Sequence, residues 1–112
     1  MIKHWDFDII IDEEYQNINC IHPLKQKDVL EIVKSAEQDK HVQEIIVFGS
    51  SVRFDCNSYS DIDILVTRDD NLIKAPVDYS KVKSDVDTIY RWKCGKVLLS
   101  EIESTGVVVF RR

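Results

Sequence analysis

No stretch of the 112-residue chain stays apolar long enough to span a membrane, which takes about 20 consecutive residues. Near the start Asp6, Asp8 and Asp12 interrupt the apolar residues, so no signal-peptide pattern forms and a cytoplasmic location is expected. Cysteine is scarce: Cys20, Cys56 and Cys94 are odd in number and include no close pair. A disulfide framework and a zinc knuckle are thereby excluded, which leaves three reduced thiols. Basic excess is missing too. A formal net charge of -5 argues against a broad electrostatic grip on nucleic acid, which usually needs a basic patch, so no nucleic-acid partner is expected.

What is present fits one domain with one core, at 44% hydrophobic and 31% charged residues. The chain is organised around residues 44–66, EIIVFGSSVRFDCNSYSDIDILV. The apolar run Ile45 to Phe48 has strand length and stops at Gly49-Ser50, and a second strand-like run begins at Asp61. Successive strand side chains point to opposite faces, so Asp61 and Asp63 share one face while Ile62, Ile64 and Val66 take the other. Two carboxylates about 7 Å apart along a strand repel when ionised and gain most from a shared cation. For oxygen ligands that cation is Mg²⁺ or Mn²⁺. Ser50 and the N–H groups after Gly49 would open a short helix, whose orphan donors and dipole favour a phosphate. A phosphate cradle and a metal site on one sheet point to nucleotide chemistry.

Gly49-Ser50, ten intervening residues and Asp61-Ile62-Asp63 resemble the signature of the DNA-polymerase-β-like nucleotidyltransferases, and more narrowly of their smallest members, the minimal nucleotidyltransferases. Val52 and Arg53 suit the family loosely, and Phe54 stands where it often has glycine. The resemblance runs from about Leu24 to Phe110. It implies an α+β fold, a mixed β-sheet with helices packed on one face. Residues 23–112 would form the nucleotidyltransferase domain, and residues 1–22 an N-terminal extension.

In that extension Trp5, Phe7, Ile9 and Ile11 alternate with acidic residues through Met1 to Asp12, the pattern of an added edge strand. From Leu24 to Asp39, Val29, Ile32, Val33 and Ala36 have the spacing of an amphipathic scaffold helix, with Pro23 at its first position and Lys25, Lys27, Glu31 and Lys34 exposed. His41 falls in an exposed connection. Cys56 and Tyr59 are expected to give packing or loop contacts. Thr67 to Ser84 reads as a polar connection with a helical turn near Asp69 to Ile73. Asp85 to Tyr90 is again strand-like. Lys96 to Ser104 is helical, with Gly106 just past its end. Val107 to Phe110 is a short buried strand and Arg111-Arg112 a solvated tail.

The resemblance implies a third carboxylate on a strand beside the Asp-x-Asp strand. Val86-Asp87 matches that position, and Asp85 shares its face, so both stay open, with Asp87 favoured because the apolar run begins around it. The resemblance further implies transfer of a nucleoside monophosphate, AMP from ATP, to a hydroxyl. Asp61, Asp63 and Asp87 would hold two Mg²⁺ ions, with Gly49, Ser50 and Arg53 at the triphosphate. Many minimal members neutralise a HEPN-type helical toxin by adding AMP to a tyrosine, which makes such a protein the expected partner. The alternatives are a catalytically inactive antitoxin that acts by binding, and transfer to RNA.

Overall fold

Ile45-Ile46-Val47 and Ile64-Leu65-Val66 are apolar without alternation, the pattern of strands covered on both faces. They lie at the centre of a four-stranded sheet in the computed structural model, which describes residues 16–53, 56–72 and 81–112. The elements are α1 (Gln26–Glu37), β1 (Val42–Phe48), β2 (Ile62–Arg68), β3 (Val86–Tyr90), α2 (Lys96–Thr105) and β4 (Val107–Arg111). The strand order is β3-β2-β1-β4. β1 runs antiparallel to β2 and β4, and β2 runs parallel to β3. The sheet is therefore mixed and the class α+β, as expected.

The two helices cover one face each instead of sharing one. Val29, Ile32, Val33 and Ala36 of α1 join Ile45, Val47, Ile62, Ile64 and Val66 in one core. Ile102 of α2 joins Ile46 and Leu65 on the opposite face, flanked by Phe48 and Ile89. Strand alternation requires this, because Ile45 and Val47 point away from Ile46. Ile18 and Ile21 are buried in the α1-side core, so the segment before Pro23 helps to build it.

α1 is entered through a one-turn 3-10 helix, Pro23–Lys25, whose first position Pro23 takes, and His22 Nδ1 accepts from the Leu24 N–H at 3.2 Å. The far end of α1 is closed by Arg112, whose guanidinium donates to the Ala36 and Asp39 carbonyls at 3.1 and 2.8 Å. A cation on the last carbonyls of a helix also suits its dipole. Arg111 pairs with Glu44 at 2.6 Å. Both arginines are exposed, as expected of a solvated tail, but each is also tied down, because the end of β4 brings them beside charged or orphan groups that sequence separation conceals. Gly106 follows α2 at φ -77, so close approach and not a left-handed turn explains it: a Cβ there would lie 2.6 Å from the Ile102 carbonyl oxygen.

The end of β2 is tied by a buried ion pair. The Arg68 side chain is 1% exposed, donates to Asp39 Oδ2 at 2.7 Å and grips Asp70 with two bonds of 2.8 Å. The Asp70 bond first, and then Asp39, hold the guanidinium above its usual range, and Arg68 holds Asp70 well below its own. His41 Nδ1 lies 2.7 Å from Asp69. Asp69 to Leu72 forms bends and irregular chain, not a helical turn, with Asn71 at φ 52. The strand expected over Met1 to Asp12, Phe54 and residues 73–80 lie outside the described residues.

Candidate active site

Phe48 pairs with Asp63 across β1 and β2, so the chain leaving β1 passes directly beside that carboxylate. Gly49 makes the passage possible. Its φ of 74 lies in the left-handed region, and a Cβ would collide with Asp63 Oδ2. The turn that follows is a single 3-10 turn of four residues, Gly49–Val52, too short to be a regular α-helix. Little macrodipole can build up there, so what the turn offers an anion is its N–H groups and the Ser50 hydroxyl, not a helix dipole.

The two serines after Gly49 differ. Ser51 is buried, its carbonyl accepting from the His22 N–H at 2.7 Å and its hydroxyl facing the Asp61 carbonyl at 3.5 Å. Ser50 is part-exposed, and its hydroxyl has no hydrogen-bond partner among the described residues. Ser51 fixes the turn, and Ser50 is the one presented outward.

The parallel register of β2 and β3 sets Asp63 opposite Asp87. Both share a face with Leu65 and Ile89, the face that α2 covers farther along. Asp61 precedes β2 by one residue and is exposed. The Asp63 carboxyl sits above the usual carboxylate range, first because it is partly buried, then because Asp87 and Asp61 repel its charge, with Arg53 opposing. Asp61, Asp63, Asp87, Gly49 and Arg53 are thus brought together. Asp85 contributes differently: its carbonyl accepts from the Ile62 N–H at 2.9 Å, tying the starts of β2 and β3.

Two residues that position this site went unrecognised in the sequence. Lys25, expected to be exposed, is 1% exposed. Its ammonium donates to Ser84 Oγ at 2.9 Å and reaches the Ser58 carbonyl at 3.4 Å. Asp28, one turn on, accepts from the Lys83 and Ser84 N–H groups and from the Ser84 hydroxyl at 3.0, 3.1 and 2.7 Å. Ser58 lies three residues before Asp61, and Ser84 three before Asp87. The first turn of α1 and the 3-10 turn that leads into it therefore anchor both segments that feed the carboxylate strands. A lysine at a helix start reads as solvated surface, and only the tertiary packing reveals its partners. Cys56 is buried, whereas the Tyr59 side chain is 93% exposed and its N–H makes a loop contact, donating to Asn57 Oδ1 at 2.9 Å. All three cysteines are free.

Three carboxylates, all hard oxygen donors, suit Mg²⁺ or Mn²⁺, and the raised Asp63 pKa marks a charge that a cation would relieve. Their oxygens are not drawn together as closely as the ligand atoms of His41, Asp69 and Asp70, a ring nitrogen and two carboxylate oxygens that lie within 4.8 Å of one another. In that second group Asp70 is already neutralised by Arg68.

The mixed sheet thus sets one carboxylate pair across parallel strands, beside a glycine turn. Residues 30–112 match the family "Polymerase beta, Nucleotidyltransferase", and the chain belongs to it. Among solved structures it is similar to a chain of a toxin–antitoxin complex with AMP-PNP, at 24% identity and a TM-score of 0.60, covering 77% of this chain and 73% of that one. It is also similar to a chain of the tri-AMPylated Shewanella oneidensis HEPN toxin in complex with its MNT antitoxin, at 27% identity and a TM-score of 0.58, covering 79% and 73%. A variant of the MntA–HpeT toxin–antitoxin matches at 22% identity and a TM-score of 0.60. A comparison with curated proteins finds no match. None of the described helices is long and apolar enough to cross a membrane.

Proposed function

We propose that this chain transfers AMP from ATP to a hydroxyl group on a protein partner, a tyrosine of a HEPN-type helical toxin, and so acts as the antitoxin of the pair. The observation that carries the reading is the register Asp63↔Asp87 with Gly49 seated against Asp63, which sets carboxylates and a phosphate-sized turn side by side. Family membership supports the chemistry, and the similarity to MNT and HEPN complexes supports the partner.

Asp61, Asp63 and Asp87 would hold the metal, one or two Mg²⁺ or Mn²⁺ ions. Bound there, such ions lower the pKa of an attacking hydroxyl and neutralise the triphosphate and the leaving oxygen. The backbone at Gly49, free of a Cβ, lets phosphate oxygens come close to the turn, and the Ser50 hydroxyl donates to one of them. Arg53 adds positive charge where the triphosphate charge is greatest. The acceptor oxygen bonds to the α-phosphorus, the bond from that phosphorus to the bridging oxygen breaks, and pyrophosphate leaves. The more exposed Asp87 takes the proton of the attacking hydroxyl. Positioning and charge neutralisation are all that such a transfer asks of a small domain.

Labelled ATP, Mg²⁺, the protein and either a HEPN-type partner or small RNAs test the reading. Label on the partner, lost with Asp61→Ala/Asp63→Ala, supports it. Label on RNA redirects it to RNA tailing. Tight partner binding with no label anywhere makes the chain an inactive antitoxin that acts by binding.

A further inference from the structure

A cleft of about 490 Å³ opens between the Gly49–Val52 turn and α2. Its size falls in the range of small-ligand pockets, about 300–1,000 Å³. Gly49 and Arg53 line it, and the same glycine sits beside Asp63 while Arg53 acts on its charge, so the cleft adjoins the turn next to that carboxylate, although none of the three carboxylates lines it. Its apolar walls come from both sides: Phe48 and Val52 from the β1 end, Leu98 and Ile102 from α2. Leu98 stays 40% exposed, and part of that surface faces the cleft. Two opposed apolar walls suit a flat ring better than they suit a triphosphate.

The polar side chains at the cleft are Arg53, Glu101 and Thr105. Thr105 already spends its hydroxyl proton on the Glu101 carbonyl at 2.8 Å. Of the acidic residues in α2, Glu103 is paired with Arg91, whereas the Glu101 carboxylate has no ion-pair or hydrogen-bond partner among the described residues. Glu101 is exposed at the cleft, and its ionised carboxylate, which can only accept, is open to a donor from a ligand seated there. Nucleobases differ in the donors they offer at their edges. Adenine presents an exocyclic N6 amine, whereas uracil presents carbonyl acceptors in its place.

We propose that the cleft between the Gly49–Val52 turn and α2 is the nucleobase site, with Leu98 and Val52 clasping the ring and Glu101 accepting a hydrogen bond from the exocyclic amine of adenine. This rests on the functional reading above, and it assigns that site its base specificity. Glu101 is then a binding residue that selects the nucleotide, set on a helix that the phosphate-binding turn does not include.

The test is calorimetry in Mg²⁺ with four probes: the non-hydrolysable α,β-methylene analogues of ATP, of purine riboside triphosphate, which lacks the amine, and of UTP, together with inorganic tripolyphosphate. Wild type should bind the ATP analogue about tenfold or more tighter than the purine riboside analogue, the loss expected for one hydrogen bond to a charged acceptor. Glu101→Ala should bring those two within about twofold while leaving tripolyphosphate affinity unchanged, and Glu101→Gln, which keeps an acceptor oxygen, should retain part of the preference. Leu98→Ser should weaken every nucleoside triphosphate but not tripolyphosphate. If tripolyphosphate binds as tightly as the ATP analogue, or Glu101→Ala leaves the preference for the amine intact, the base site is overturned and the transfer reading survives. If neither tripolyphosphate nor any nucleotide binds, both are overturned together.

Discussion

Gly49→Ala separates the two ways in which a glycine can matter. The backbone at this position has φ 74, where a side chain costs about 1–2 kcal/mol in an L-residue. The added methyl would also collide with the Asp63 carboxylate. That carboxylate is the free end of a side chain and can rotate away, so the collision costs site geometry more than stability. The expected fall in Tm is then set by the backbone alone. With about 4–8 °C lost per kcal/mol in a domain of about this size, a decrease of roughly 4–16 °C follows. The displaced carboxylate has the larger consequence. Metal-dependent ATP binding should weaken at least tenfold, because a misplaced Asp63 can no longer share a cation with Asp87 across the β2–β3 register. Thermal unfolding by circular dichroism and calorimetric titration of ATP with Mg²⁺ measure the two effects. Gly95→Ala is the control: nothing lies within 4 Å of a Cβ there, and nucleotide affinity should not change. A Gly49→Ala protein with wild-type ATP affinity would refute the assignment of Asp63 to the metal and the turn to the phosphates.

Asp63→Asn should leave the metal-free Tm unchanged or raised, because burial, Asp87 and Asp61 all disfavour the ionised carboxyl, while the extra thermal stability conferred by Mg²⁺ and ATP should vanish. Wild-type affinity for Mg²⁺-ATP should likewise fall as the pH drops through a value above the usual carboxylate range, which a calorimetric pH series would show. Ser50→Ala should weaken ATP binding by about 1 kcal/mol with the Tm nearly constant, whereas a large Tm loss with unchanged affinity would make Ser50 a structural residue. Lys25→Met should cost about 1–3 kcal/mol in denaturant unfolding, since the Ser84 hydroxyl and the Ser58 carbonyl lose a buried donor. The stability owed to Asp70 is present above the usual carboxylate range and lost as the pH falls below it towards the depressed value of the folded state, so Asp70→Asn should flatten the acid limb of a stability–pH curve.

The sequence by itself determined the parts of this protein that depend on neighbours along the chain. Alternation placed Asp61 and Asp63 on one side of a strand, the 3.6-residue spacing marked the buried stripe of α1, and the unbroken runs at Ile45 and Ile64 identified the strands later found at the sheet centre. Tertiary structure decided what depends on pairing between distant segments. The parallel register of β2 and β3 put Asp87, not Asp85, opposite Asp63, a choice that alternation within one strand could not make because both residues share a face. Opposite faces for α1 and α2 followed from which strand residues each helix covers, and a stripe of apolar residues does not say which side of a sheet it will meet. Lys25 reads as a solvated cation and Arg112 as a free one because their partners lie 33 to 76 residues away, at Ser58, Ser84, Val42 and Ala36, and of the two only Lys25 is buried. The charge of a side chain is written in the sequence, but its desolvation and its hydrogen bonds exist only after the chain has closed around it.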